Sequence, residues 1–233
     1  MKLASCLVAL SIVAPGCSGG AASPDAPVAA ESLAPVARHT HPADAFRDTV
    51  GMASLQDLRH MTVSGKAGGM WPRPAADIDR AQVGDAERLD EVSCAALAAY
   101  RQGDDARSLL VEKDAVYYPV SVDGEVVSSI AMGKRPDGAW EVVGIGRPSL
   151  AKAIDDTGKR LAASRGVAEH ALVEIRSLHL RFLADEAAGR VTLTALEDVA
   201  EITLAAGQSA PASEVFAKLA PRAAKACSGG ASR

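Results

Sequence analysis

Cysteine and histidine are the side chains of this chain with the widest chemical range, since either can ligate a metal ion or take part in nucleophilic catalysis. The chain has four cysteines and five histidines in 233 residues. His39 and His41 form a His-x-His pair, and His60 is the only other histidine or cysteine near them in sequence. Because a zinc site needs three or four converging ligands, we expect no metal site and no other cofactor.

The sequence contains no recognisable set of catalytic residues. It has no His-Glu-x-x-His motif and no Cys-x-x-Cys pair, and the absence of asparagine excludes a Cys-His-Asn set. Cys94 could form a thiol dyad with His170 or His179, but nothing in the sequence brings these residues together. We therefore predict no catalytic residue.

Charge and composition limit the partners. The formal net charge is −4, so we expect no basic face that binds nucleic acid. Hydrophobic residues make up 48% of the chain, which is too many for a fully disordered protein. A basic cluster could face an anionic lipid, although charges spread around a helix are typical of an ordinary solvated surface. Its members are Arg147, Lys152, Lys159, Arg160 and Arg165.

The amino terminus has the pattern of an export signal. Lys2 supplies a positive charge, an apolar run extends from Leu3 to Ala14, and Gly16 provides a small residue after it. The run is too short to span a bilayer, which needs about 20 apolar residues. We therefore expect this segment to direct export and to be removed.

The end of this run, Val13–Cys17, resembles a bacterial lipobox. The resemblance implies cleavage between Gly16 and Cys17 and diacylglycerol attached to Cys17, which anchors the chain to a membrane. The alternative is an ordinary cleaved signal in which Cys17 has no role. Because Ser18 rather than aspartate follows the cysteine, the resemblance favours the outer membrane. We divide the amino terminus into a signal peptide (1–16) and a flexible tether (17–42), which is rich in small residues and proline.

Two further cysteines follow in the exported part of the chain. An exported protein meets an oxidising compartment, where two thiols favour a disulfide, and Cys94 and Cys227 are therefore a candidate pair. The alternative is that Cys94 is a small buried residue in a helix and Cys227 belongs to a flexible tail (227–233).

Element patterns over residues 43–226 predict an α+β fold, with a helix packed on an antiparallel β-meander and a second, smaller helical or hairpin portion. The region 43–147 contains the meander, and 148–226 is a second subdomain. Asp123-Gly124 and Asp137-Gly138 predict tight turns between strands. Pro119 predicts a strand edge or a bulge. The expected helices of the first region are 43–61 and 85–102, and its strands are 108–111, 116–122, 125–132 and 139–145.

The second region begins with a helix over 149–164. Residues 171–184 have features of both helix and strand, and we expect a strand that pairs with 190–193. Thr194 and Glu197 have the spacing of a capping box, which predicts a short helix ending near residue 206. A last helix begins at Pro211 and is interrupted or restarted at Pro221.

The element order of residues 85–146 resembles cystatin-like and propeptide-like inhibitory modules, in which a helix packs on a curved sheet. The Gln-x-Val-x-Gly loop of cystatins is absent, because Gln82, Val83 and Gly84 are contiguous. We expect a lipid-anchored protein of the bacterial cell envelope with a non-catalytic binding, scaffolding or inhibitory role, and with a protein partner there. The alternative is a hydrolase of an envelope polymer.

Overall fold

The computed structural model describes residues 41–166 and 169–229. Gly16, Cys17, nearly all of the tether and residues 230–233 lie outside the described residues. Within the described ranges the helices are α1 (Asp44–Val63), α2 (Cys94–Ala99), α3 (Pro148–Arg165) and α4 (Ala212–Gly229). The strands are β1 (Ala81–Val83), β2 (Glu87–Glu91), β3 (Val111–Val122), β4 (Glu125–Lys134), β5 (Trp140–Gly146), β6 (Ala171–Ile175), β7 (Leu180–Ala187), β8 (Arg190–Ala195) and β9 (Ser209–Pro211). Short 3-10 helices span Gly68–Met70, Ala75–Arg80, Ala106–Leu109, Arg176–Leu178 and Ala200–Ile202.

A single sheet contains all nine of these strands. Its order is β5-β4-β3-β2-β6-β7-β8-β9, and β1 pairs with β3 beside β2. Neighbouring strands are antiparallel except for β2 and β6, which run parallel. The predicted α+β class is therefore confirmed. Because β2 joins β3 to β6, strands from both sides of Pro148 belong to the same sheet, and the proposed domain boundaries stay a prediction.

Local turn chemistry forms the meander β3-β4-β5. Asp123 and Gly124 both have positive φ, 53° and 81°, as a two-residue type I′ turn requires. In the next turn the Asp137 carboxylate accepts a hydrogen bond from the backbone N–H of Ala139 at 3.0 Å. Gly138 there has a φ of 87°, which favours glycine. Both predicted turns are confirmed.

The helix predicted over 85–102 is wrong. Residues 87–91 form β2, and a short helix begins only at Cys94, where the Ser93 hydroxyl accepts a hydrogen bond from the N–H of Ala96 at 3.1 Å. The apolar residues of this segment fit a helical period, but β2 pairs with β3 on one side and β6 on the other. Partners that are distant in sequence thus override the local preference. The strand predicted over 108–111 is also wrong there, because Ala106–Leu109 is a 3-10 helix.

Pro119 lies in the interior of the sheet and not at its edge. It faces the gap between the ends of β1 and β2, where its carbonyl accepts a hydrogen bond from Gly84 N at 2.8 Å. The missing N–H of proline is therefore not needed in the ladder. The predicted bulge is present directly after it, since the register against β4 shifts between Val120 and Ser121.

The strand chosen for residues 171–184 is confirmed, with one interruption. β6 and β7 are separated by a 3-10 turn and by His179, whose φ is 57°. β7 then pairs with β8 as expected. The predicted capping box is wrong, because Thr194 lies in β8 and its hydroxyl bonds that of Ser209 at 2.8 Å. α4 continues through Pro221 to Gly229 and so includes the first three residues of the expected tail.

Helices cover both faces of the sheet. Over one face, α1 packs on β3–β5 with Leu58 at its centre, while α2 and α4 pack on β6–β8 around Phe182 and Phe216. On the opposite face α3 packs through Ile154 and Leu161. α3 covers only part of that face, which leaves room for depressions on either side of it. No helix among the described residues is both long and apolar enough to cross a membrane.

Candidate anion-binding pocket

The structure joins one pair of residues that the sequence singled out. Cys94 and Cys227 form a disulfide, and their Cα atoms lie 6.0 Å apart, within the range that such a bond allows. Cys94 begins α2 and Cys227 lies in the last turn of α4, so the bond links two helices that pack together. A bonded Cys94 has no free thiol, which removes the possible dyad with His170 or His179.

No metal site forms from the side chains that the structure describes. Within residues 41–166 and 169–229, no group of three or more histidine, cysteine, aspartate or glutamate residues could hold a metal ion. His41 accepts a hydrogen bond from the N–H of Ala43 at 3.1 Å, and its ring meets that of Trp140 edge-on at 5.4 Å.

A pocket of about 460 Å³ lies on the α3 face of the sheet. It is lined by residues of β3, β4 and β5, by the residue that precedes α3, by Leu89 of β2, and by residues of β6, β7 and the turn between them. This volume falls within the range of small-molecule sites in proteins. The pocket is the best candidate for a functional site among the described residues, because three arginine side chains converge on it.

Backbone geometry places these arginines. Arg147 follows β5 in the left-handed conformation, with a φ of 58°, immediately before the Pro148 that opens α3. Arg176 lies in the 3-10 turn after β6. Arg181 lies in β7 directly opposite Glu174 of β6, so their side chains share one face of the antiparallel pair.

Glu174 is the centre around which the guanidinium groups are arranged. Its side chain is 8% exposed. The Nε atoms of Arg181 and Arg176 donate to its two oxygens at 3.0 Å and 3.3 Å, and Nη1 of Arg147 lies 3.7 Å away. One buried carboxylate thus orients three cations, and charge-assisted hydrogen bonds of this kind are stronger than neutral ones.

The cluster carries excess positive charge. Three arginines surround Glu174, and the other nearby acid, Glu91, lies 3.1 Å from Nζ of Lys113 and 3.9 Å from Nε of Arg176. These four cations and two carboxylates leave the cluster with a net charge of +2. Since Glu174 engages the Nε atoms, the terminal Nη groups of Arg176 and Arg181 make no hydrogen bond to any described residue.

Tyr117 adds a neutral donor to the same site. Its hydroxyl accepts a hydrogen bond from Nη1 of Arg147 at 2.7 Å. Burial raises the pKa of the phenol, and the charge of Arg147 opposes this shift only in part. The phenol therefore stays protonated at neutral pH, and its hydrogen can be donated to an anion.

The opposite wall of the pocket is apolar. It consists of Ala131 on β4 and Val143 to Ile145 on β5. Val143 is 61% exposed, so its apolar surface is open to a ligand. A Cβ atom added to Gly144 would meet only Ala131, at 3.8 Å, so the space above this glycine is open.

A second depression lies beside the carboxyl-terminal half of α3. One of its two arginines is paired with an acid: Arg165 lies 3.5 Å from the buried carboxylate of Asp185. Nη2 of the other, Arg160, donates to the Thr157 hydroxyl at 2.9 Å. It therefore offers less unmatched charge to a ligand than the pocket around Glu174 does.

Two buried titratable groups lie away from the pocket. Burial lowers the pKa of His170, but the carboxylate of Glu87, whose Oε2 lies 3.1 Å from Nε2, raises it by a larger amount together with the charge of Asp185, so the net shift is upward. Burial raises the pKa of Asp90, and Arg88 opposes this shift in part. Both groups affect stability more directly than ligand binding.

Comparison of the chain with known protein families, with curated proteins and with solved structures finds no match. The functional assignment therefore depends on the sequence and on the geometry of the pocket.

Most of this site could not be predicted from the sequence. Arg147 was a candidate only as part of a basic cluster whose other members lie elsewhere: Lys152 and Lys159 pair with aspartates of α3 itself. Arg176 and Arg181 reach the pocket because β6 and β7 pair, and the alternation of residues 178–182 was the only signal for that strand. Glu174 gave no signal in sequence, because a carboxylate in a strand is usually solvated.

Proposed function

We propose that this chain is a lipoprotein of the bacterial cell envelope, anchored through Cys17 to the outer membrane, which binds an anionic ligand without transforming it. The export signal and the lipobox-like segment Val13–Cys17 support the location. The disulfide between Cys94 and Cys227 supports it too, because such bonds persist in oxidising compartments.

The observation that carries the binding role is that the terminal Nη groups of Arg176 and Arg181 make no hydrogen bond to any described residue while their Nε atoms are held by buried Glu174. Arginine offers a planar fork of donors that matches a carboxylate or phosphate. In Arg176 and Arg181 one donor of each fork is held by Glu174, so the remaining donors are oriented before a ligand arrives. Such preorganisation lowers the entropic cost of binding.

The geometry favours binding over hydrolysis. The hydroxyl of Ser129, which lines the pocket, donates to the carbonyl of Gly146. His179 also lines the pocket, but its side chain makes no hydrogen bond to Ser129 or Tyr117 among the described residues. Glu174 is engaged by arginines, and Tyr117 is held in its protonated form. A nucleophile needs an adjacent general base, and no hydrogen bond joins a nucleophile to a base among the described residues of this pocket.

The location is tested by Cys17→Ser in cells, with Cys6→Ser as the matched control. We expect Cys6→Ser to fractionate with membranes like the wild type. We expect Cys17→Ser to be released or to retain its leader, since two or three acyl chains are needed for stable anchoring. Normal processing of Cys17→Ser together with membrane residence would contradict the lipoprotein assignment.

The binding role is tested by thermal unfolding in the presence of inorganic phosphate, sulfate or octanoate. At least one of these anions is expected to raise Tm, because a ligand that binds only the folded state stabilises it. The rise should be smaller in Arg176→Gln and unchanged in Arg59→Gln, which removes an exposed arginine paired with Asp79. Equal rises in all three proteins would contradict binding at this pocket.

A further inference from the structure

The charged and apolar parts of the pocket lie at opposite ends of a row of paired residues that crosses three strands. Tyr117 on β3 lies opposite Ala131 on β4, and Ala131 lies opposite Gly144 on β5. Adjacent strands are about 4.8 Å apart, so this row spans about 10 Å across the sheet. The arginine cluster stands at the Tyr117 end, and the open apolar trough stands at the Gly144 end.

From this arrangement, and resting on the proposed binding function, we infer that the ligand is an amphiphile with one terminal oxyanion, a carboxylate or a phosphate, and a short unbranched apolar chain. The oxyanion lies against the Nη groups of Arg176 and Arg181 and the hydroxyl of Tyr117. The apolar chain crosses Ala131 toward Gly144 and Val143.

The anionic end follows from donors and charge. The four cations and two carboxylates of the cluster have a net charge of +2, and the terminal Nη groups of Arg176 and Arg181 make no hydrogen bond to any described residue. An oxyanion accepts several charge-assisted hydrogen bonds at once, which a neutral polar group cannot do. Glu174 at the base of the cluster repels a second anion from its own position, so a single terminal anion fits best.

The apolar end follows from what the strands leave open. Glycine at position 144 removes a side chain where β5 faces the pocket, and its φ is in the range open to any residue. Val143 is exposed next to it, with one methyl group against Gly133, where an added Cβ would lie 3.0 Å away. An alkyl chain laid in this trough would cover apolar surface that water now contacts, which favours binding.

The test is isothermal titration of the mature chain, residues 17–233, carrying Cys17→Ser so that no detergent competes with the ligand. The four probes are octyl phosphate, octanoate, inorganic phosphate and octanol. We expect at least one of the two octyl anions to bind at least tenfold more tightly than inorganic phosphate, and octanol to show no binding. The tighter of the two octyl anions identifies the head group as phosphate or carboxylate.

Variants separate the two ends of the site. Arg176→Gln should lower the affinity for the octyl anion about tenfold. Arg176→Lys keeps the charge but not the planar fork of donors, so it should retain only part of the wild-type affinity. Gly144→Leu should fill the trough. It should lower the affinity for octyl phosphate to that for inorganic phosphate and leave the affinity for inorganic phosphate unchanged. Val143→Ser, at an exposed position, should weaken only the octyl compounds and provides a second test should Gly144→Leu not fold.

The possible outcomes distinguish this inference from the function on which it rests. Equal affinity for octyl phosphate and inorganic phosphate, with no effect of Gly144→Leu or Val143→Ser, would contradict the inference that the ligand is an amphiphile. The proposed anion-binding function would still stand. Binding of none of the four probes would overturn both. Equal weakening by the control Arg59→Gln and by Arg176→Gln would place the site elsewhere and would also overturn both.

Discussion

Replacing Cys94 and Cys227 together by serine removes the covalent link between α2 and α4. The two cysteines are 133 residues apart in sequence. In the chain-entropy model, a cross-link that closes a loop of this length destabilises the unfolded state by about 5 kcal/mol at 25 °C. Both side chains are only partly buried, so their replacement by serine removes little packing and the loss should come mainly from the unfolded chain.

The fold should survive this change. α2 stays in contact with α4 through Leu97 and through Tyr100, whose ring meets Phe216 edge-on at 5.9 Å. For a domain of this size, each kcal/mol shifts Tm by roughly 2–4 °C. The double variant should therefore unfold about 10–20 °C below the oxidised wild type, with the same circular dichroism spectrum at 20 °C.

The assay is equilibrium urea unfolding followed by the fluorescence of Trp71 and Trp140. Three samples are compared: the oxidised wild type, the wild type with reductant, and the double variant. The reduced wild type and the double variant should agree, and reductant should leave the double variant unchanged. A double variant within 1 kcal/mol of the oxidised wild type would refute the loop-entropy argument.

Two further substitutions test the packing and the buried charge. Phe216→Ala should lower the free energy of unfolding in urea by about 3–5 kcal/mol, because Phe216 is fully buried between α4 and the sheet. The control Phe46→Ala, at a 43% exposed position, should lower it by less than about 1 kcal/mol. Similar losses in the two variants would contradict the described core. His170→Gln should flatten the pH dependence of Tm and His60→Gln should not. The raised pKa of His170 beside Glu87 means that its stabilisation is complete below about pH 6.5 and is lost as pH rises through the folded-state pKa. A wild-type Tm whose pH dependence is unchanged by His170→Gln would contradict this pairing.

Elements set by neighbours in sequence could be predicted. The turn at Asp123-Gly124 and the helix α3, which is followed by the capping residue Gly166 with a φ of 67°, depend on local backbone preferences, and both are present. The segment 85–102 shows the opposite case, because its apolar spacing fits a helix while its partners β3 and β6 are distant in sequence. No local signal could reveal that pairing.

The candidate site shows the same limit more strongly. Arg147, Arg176 and Arg181 converge only because β6 pairs with β7 and because β5 ends beside α3. Each arginine alone looks like ordinary surface charge. Glu174, which orients them, lies in β6 beside its parallel partner β2, and a parallel connection across about 80 residues leaves no periodic trace in the sequence.

The central claim is that the arginines around Glu174 form a ligand site, and arginine side-chain NMR tests it most directly. The Nε–Hε resonances of residues 17–233 carrying Cys17→Ser would be followed during separate titrations with octyl phosphate and octanoate. With at least one of these anions we predict saturable shifts of Arg147, Arg176 and Arg181, with Arg59 unchanged. Absence of shifts at these three residues with both anions, or shifts centred on Arg160 and Arg165 beside α3, would contradict the account.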